Sequence, residues 1–270
     1  MRRVAVDGAD LEVEVGGSGE PVLLIQTALV ADEFLPLAAE PALGDHYRVI
    51  RYHRRGYGQS SPVQGAGSIP RDAADAQALL AALGVARAHV AGVSYSGAVA
   101  LQLAADSPSL VHSLTLLEPP PVQVPSAAQF LAANAQLVQD YHVDGPVVGL
   151  DRFLTRVVGP DWRAAIERTL PGAADQMEQD TPTFFQTDIP ALLAWTFGAE
   201  DARRITQPVL HIGGSESGRW FAEVRELMLA WLPQADDVVL AGADHSLALT
   251  HPAQVAAALV AFLGRHPIPR

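Results

Sequence analysis

The stretch His89-Val90-Ala91-Gly92-Val93-Ser94-Tyr95-Ser96-Gly97, running on through Ala98-Val99-Ala100-Leu101 to Asp106, decides how the rest of the chain is read. His89 to Val93 is a short apolar run that suits a buried strand, and Tyr95 to Asp106 has the apolar spacing of a helix. A serine caught between the two, with small residues two before and two after it, fits a nucleophile held in a sharp strand-to-helix turn. The small neighbours are a steric need. Such a strained turn folds its flanks together, and Gly92 and Ser96 leave room there, while Gly97 lets the helix approach the sheet. The motif alone arises by chance in roughly a third of chains this long, so its place between strand and helix carries the argument. Ser96 also has small neighbours, but choosing it shifts the strand end by two residues and starts the helix inside Val99-Ala100-Leu101.

Outward from this elbow, strands and helices alternate. Leu11 to Val15 alternates in polarity, Gly16-Gly17-Ser18-Gly19 turns, and Pro21 to Ile25 is apolar on both faces, as a central strand must be. Tyr47 to Tyr52 reads as a strand, Arg71 to Leu83 as a helix ended by Gly84, and Val111 to Leu117 as the strand after the elbow. This predicts a mostly parallel α/β sheet with helices on both faces. From Pro119 to about Thr206 the alternation gives way to helical segments broken by Gly and Pro and rich in large aromatics. It resumes with a strand at Pro208 to Ile212, a helix at Trp220 to Leu232, a strand at Asp237 to Leu240 and a helix at Pro252 to Arg265. The expected organisation is a core of residues 1–120 and 204–270 with a helical cap, 121–203, inserted after the strand that follows the elbow.

A serine hydroxyl needs a neighbouring imidazole to take its proton, so a histidine is required at the same sheet edge. Of the nine histidines, His245 follows a strand through Ala241-Gly242-Ala243-Asp244, on a loop at a strand's carboxyl end. His46, His89 and His112 stand at strand starts, on the opposite edge, and His251 precedes Pro252 at a helix entry. A carboxylate must then orient the imidazole. Glu118 ends the strand Leu114-Thr115-Leu116-Leu117, where a buried charge calls for a partner. Glu216, in Gly213-Gly214-Ser215-Glu216-Ser217, is the rival; Glu118 is preferred.

Composition narrows the partners. Thirty acidic residues against eighteen basic ones give a formal charge of −12, which repels nucleic acid and anionic membranes. There is no Lys and no Cys, which removes Schiff-base, P-loop and thiolate chemistry and disulfides. His-Glu-x-x-His spacing is absent, so no metal is expected. Without a signal-peptide pattern or a long apolar run, a cytoplasmic protein is expected. Nothing in the sequence reports the oligomeric state.

Taken together, these residues resemble the α/β-hydrolase superfamily over nearly the whole chain outside the cap. His53-Arg54-Arg55-Gly56-Tyr57-Gly58-Gln59-Ser60 is similar to that family's Asp-x-Arg-Gly-x-Gly-x-Ser loop, with His53 in place of Asp, and the elbow, the Gly242-to-His245 loop and the last helix match as well. The family's usual His-Gly after the third strand is replaced by Gln26-Thr27-Ala28-Leu29. By resemblance, the oxyanion donors are the backbone N–H groups of Ala28, with Thr27 as the alternative, and Tyr95. Some branches, including zearalenone-type lactonases, carry a Glu after the strand following the elbow, and Glu118-Pro119-Pro120 resembles that arrangement. The resemblance implies two-step acyl transfer through Ser94, which needs no cofactor, with the serine arguing against dehalogenase or epoxide-hydrolase chemistry. The cap aromatics Trp162, Phe184 and Trp195, together with Phe185 and Phe197, suggest a pocket for a small hydrophobic ester or lactone. Two other readings stand beside this one: hydrolysis of a carbon–carbon bond in a diketone, and a low-turnover small-molecule receptor on the same fold.

Overall fold

Eight strands form a single sheet in the computed structural model, which describes residues 1–157 and 159–269; Val158, within the expected cap, and Arg270, at the chain end, lie outside the described residues. The strands are β1 (Arg2–Val6), β2 (Ala9–Gly16), β3 (Glu20–Ile25), β4 (Tyr47–His53), β5 (Ala88–Val93), β6 (Val111–Leu117), β7 (Val209–Gly214) and β8 (Ala235–Leu240), in the order β1-β2-β4-β3-β5-β6-β7-β8. The first two pairings are antiparallel and the rest parallel. β1 escapes a reading by pattern because Val4 is its one buried residue.

β3 shows why its sequence is apolar throughout. Leu23 and Ile25 pack on one face with Val90, Leu114 and the helices 69–82 and 95–106. Val22 and Leu24 pack on the other with Ala91, Leu210 and the helix 252–265. Side chains alternate across a strand, so a central strand covered on both faces must be apolar at every position.

Register then sets what meets at the carboxyl edge. Ile25 pairs with both Tyr52 and Gly92, and Val93 pairs with Leu117. The residues that follow these strands, Gln26, Arg54, Ser94 and Glu118, therefore leave the sheet side by side, at the edge where open parallel sheets bind ligands.

Between β6 and β7 the chain contains helices and no strand among the described residues: 127–144, 146–157, 162–169, 173–183, a π-helical turn Phe184–Asp188, 189–194 and 199–202. Leu137, Tyr141, Leu150, Trp162, Met177 and Phe185 form an apolar cluster there, joined by Leu29 from the loop after β3. Among the described residues no helix is long and apolar enough to cross a membrane.

Candidate active site

Ser94 sits at the turn between β5 and the helix 95–106 with φ 50° and ψ −121°, a region that costs a non-glycine residue roughly 1–3 kcal/mol and is held only when its surroundings enforce it. They do so here. The Ser94 N–H donates to Leu117 O at 3.0 Å, and its carbonyl accepts from the Gly97 N–H at 2.9 Å. A side chain at Gly92 would meet Ser96 O at 2.2 Å, and one at Gly97 would meet Pro119 Cβ at 2.9 Å. Ser96, the rival, is fully buried, and its hydroxyl bridges the Val93 N–H and C=O, each at 2.9 Å. It braces the elbow and does not face a substrate.

Glu118 also has positive φ, 45°, and is 1% exposed. Its Oε2 lies 2.7 Å from His245 Nδ1, and its Oε1 accepts the Gly214 N–H at 2.7 Å. Burial pushes this carboxyl up, but the hydrogen bond and charge of His245 together with the Gly214 N–H outweigh that and hold it below the usual carboxylate range. The imidazole is also stacked on Phe221, centroids 3.8 Å apart at 16°. Its Nε2 has no protein partner among the described residues, and neither has the Ser94 hydroxyl. Glu216 is exposed; its N–H donates to Ala243 O at 2.9 Å and its carboxylate makes no bond to His245. The end of β7 is crowded: a Cβ on Gly214 would lie 2.3 Å from Ala243 O, and one on Gly213 would lie 3.2 Å from His211 Cε1.

The loop after β3 is fixed from behind by Arg54, which is 2% exposed. Its Nε donates to Gln26 O at 3.0 Å and its Nη2 to Thr27 O at 3.3 Å, while its backbone N–H donates to Gln26 Oε1 at 2.7 Å. The Thr27 hydroxyl donates to Val93 O at 2.9 Å. Gln26-Thr27 thus replaces the family's His-Gly with a braced loop, and the N–H groups of Ala28 and Tyr95 are left without a protein acceptor among the described residues. The same guanidinium pairs with Asp72 and with Asp188 of the π-helical turn, each at 2.7 Å. The Tyr57 hydroxyl donates to Asp188 and accepts the Leu29 N–H at 2.9 Å, and the Tyr95 hydroxyl donates to Asp72 at 2.8 Å.

His53, the motif's departure, has an electrostatic partner on each ring nitrogen: Glu12 at Nδ1, 2.9 Å, and Asp32 at Nε2, 3.2 Å. Burial pushes the imidazole down, but Asp32 and Glu12 more than offset this and raise it above 6.5. The His53 hydrogen bond in turn pulls Asp32 down to about 2, against burial. A raised histidine stabilises the fold fully below its unfolded pKa and loses that contribution as pH climbs through the folded value. The stability gap between the wild type and His53→Gln, read from urea unfolding, is therefore expected to be larger at about pH 6 than at about pH 9. A gap independent of pH overturns this account.

Two connected lobes flank Ser94 and His245. The larger, about 490 Å³, is lined by Ala28, Tyr95, Phe130, Phe184, Ile189, Leu192, Trp220 and Phe221 among others. The smaller, about 220 Å³, is lined by Leu29, Val30, Glu33, Phe153, Ile166, Phe184 and Leu249 among others. Of the three aromatics expected to line the pocket, Phe184 does so in both lobes. Trp162 and Trp195 line neither. Trp162 Nε1 donates to Asp151 at 3.1 Å within the apolar cluster between β6 and β7, and Trp195 Nε1 donates to Gln102 at 2.9 Å while its ring stacks on Phe197. Phe185 is stacked on Tyr141. Sequence reading missed Phe130, Phe153, Trp220 and Phe221. The last two lie on the helix after β7, where the alternating pattern marks them only as amphipathic filler. Among the described residues no group of three or more His, Asp or Glu side chains could hold a metal ion.

A parallel sheet with a strained serine elbow, a histidine on the loop after the last strand and a carboxylate at the same edge defines an α/β hydrolase, and the chain belongs to the α/β-hydrolase fold family, whose sequence model matches residues 21–252. It is 32% identical over 199 residues to a protein of Stutzerimonas stutzeri named "Putative carbamate hydrolase RutD", covering 73% of this chain and 74% of that one. The protein of the same name from Pseudomonas syringae pv. syringae is 30% identical over 227 residues, 82% of this chain and 85% of that one. Among solved structures, the enol-lactonase of Burkholderia xenovorans LB400 superposes with TM-score 0.81 at 22% identity, covering 97% of this chain and all of that one. A thermophilic esterase from Thermogutta terrifontis gives 0.81 at 20% identity over 98% of this chain and 99% of that one. The structural likenesses establish the fold.

Proposed function

We propose that the chain is a serine hydrolase of a small hydrophobic ester or lactone, working through Ser94, His245 and Glu118 beneath a helical cap. The observation that carries this reading is the 2.7 Å pairing of buried Glu118 with His245 Nδ1, which leaves Nε2 as the base in a cavity shared with Ser94. His245 Nε2 takes the Ser94 proton as Oγ attacks the carbonyl carbon, and the negative oxygen of the tetrahedral intermediate is met by the N–H groups of Ala28 and Tyr95. The imidazolium returns its proton to the leaving oxygen as that bond breaks. Water, deprotonated by the same Nε2, then releases the acid and restores Ser94. Glu118 holds the ring's tautomer and stabilises the imidazolium. The apolar walls favour a hydrophobic substrate, and the relatives named for carbamate hydrolysis add carbamates to the ester panel worth testing.

Intact-mass spectrometry after treatment with a fluorophosphonate tests the assignment. A single adduct is expected, mapped to Ser94 and lost in His245→Ala. Labelling at another serine, or labelling indifferent to His245, overturns it. A folded chain that takes no label and turns over no ester favours the receptor reading.

A further inference from the structure

Glu33 lies in the turn after β3 and lines the smaller lobe beside Ser94 and His245. It is 93% buried, being 7% exposed, and its carboxyl oxygens have no hydrogen-bond partner among the described residues. Arg51, the cation that lines a small void together with Glu33, is already engaged by Glu14 and Asp32. Buried acids are ordinarily paired, because an isolated carboxylate in an apolar setting costs several kcal/mol. Such a group is either held neutral or paired, and on the wall of a cavity beside Ser94 the pairing can come from a bound molecule.

The walls around it narrow the partner's chemistry. Leu29, Val30, Ile166 and Leu249 make much of the wall apolar and Phe153 and Phe184 present aromatic surface, with the Thr169, Ser246 and Thr250 hydroxyls as polar groups outside the Ser94 and His245 pair. A ligand carrying an alkyl or aryl body and a cationic nitrogen satisfies all of these at once: the body fills the apolar lobe, the nitrogen donates to the carboxylate, and the rings tolerate the charge. The chain's net charge of −12 draws cations toward the cleft.

We propose that Glu33 is a specificity-determining residue that binds a protonated amine on the moiety seated in the smaller lobe, making amine-bearing hydrophobic esters, lactones or carbamates the preferred substrates. The substrate half of this statement rests on the hydrolase reading above; the amine-binding half does not. Burial alone pushes the Glu33 carboxyl up to about 8, and an adjacent ammonium would supply the counter-charge that favours its ionised form.

Calorimetric binding of benzylammonium and benzyl alcohol to the Ser94→Ala chain reads the site without turnover. The ammonium is expected to bind about tenfold or more tightly than the alcohol, and Glu33→Gln is expected to remove that preference while leaving alcohol binding unchanged. Equal affinities, no ammonium binding, or a preference that survives Glu33→Gln overturns the proposal. In parallel, wild type and Glu33→Gln are compared on an aminoalkyl nitrophenyl ester and its methyl isostere. The amine preference in kcat/KM is expected to collapse in the variant while turnover of the isostere persists. Ammonium binding in a chain that hydrolyses neither ester overturns the hydrolase reading and leaves the amine site standing.

Discussion

Glu118→Gln is expected to lower kcat by about three to four orders of magnitude, with KM little changed and the fold intact. The amide keeps the shape of the side chain and one oxygen for the Gly214 N–H. It cannot accept from Nδ1–H with both orientations satisfied, and it supplies no charge against the imidazolium. The ring then rests in the wrong tautomer, with its proton on the nitrogen that must act as base. Steady-state kinetics on any turned-over ester, beside circular dichroism to verify folding, makes the measurement. Glu216→Gln is the control: its carboxylate is exposed and bonds to neither His245 nor Gly214, and although the residue lines the larger lobe, kcat within about twofold of wild type is expected, with any change falling on KM. The opposite pattern moves the acid to Glu216.

The largest effect on stability is expected at Arg54. Its guanidinium is 2% exposed and faces Asp72 and Asp188. Arg54→Met keeps the aliphatic stem yet leaves Asp188, itself 1% exposed, without its cation. Breaking a buried pair from one side costs about 3–5 kcal/mol. A matched double variant, Arg54→Met with Asp188→Asn, removes the stranded charge and is expected to recover a substantial part of that loss in urea unfolding. It is not expected to recover activity, because the braces on the Gln26 and Thr27 carbonyls are still missing. Stability that returns along with full activity refutes the idea that Arg54 sets the loop carrying Ala28.

The elbow turn, the position of His245 and the parallel sheet were legible because each obeys a local rule: apolar runs on both faces of central strands, small residues around a strained serine, a histidine one loop beyond a strand. Glu118 could be preferred on similar grounds, as an acid at the mouth of a buried strand. The pocket walls were not legible. Trp162 and Trp195 look like ligand-facing aromatics in sequence, but each carries an indole N–H that found a partner elsewhere, Asp151 and Gln102. Which face of an amphipathic helix meets the cavity depends on contacts between segments far apart in sequence, as with Phe130 against Trp220. Gln26 read as a loss from the oxyanion loop; its partner, Arg54, lies on the neighbouring strand's exit, and only the register of β3 against β4 brings the two together.

With Glu118 at the exit of β6, the proposed nucleophile and the proposed acid sit on adjacent strands of one β-α-β unit. On this assignment the turn after β7 carries no triad member, and its Glu216 and Ser217 form part of the larger lobe's wall. Selection acting on such a turn can exchange the exposed Glu216 without touching a charge that the chemistry needs. It is a natural place for new substrate preferences to emerge, and the first position to randomise when the enzyme is to be taught another one.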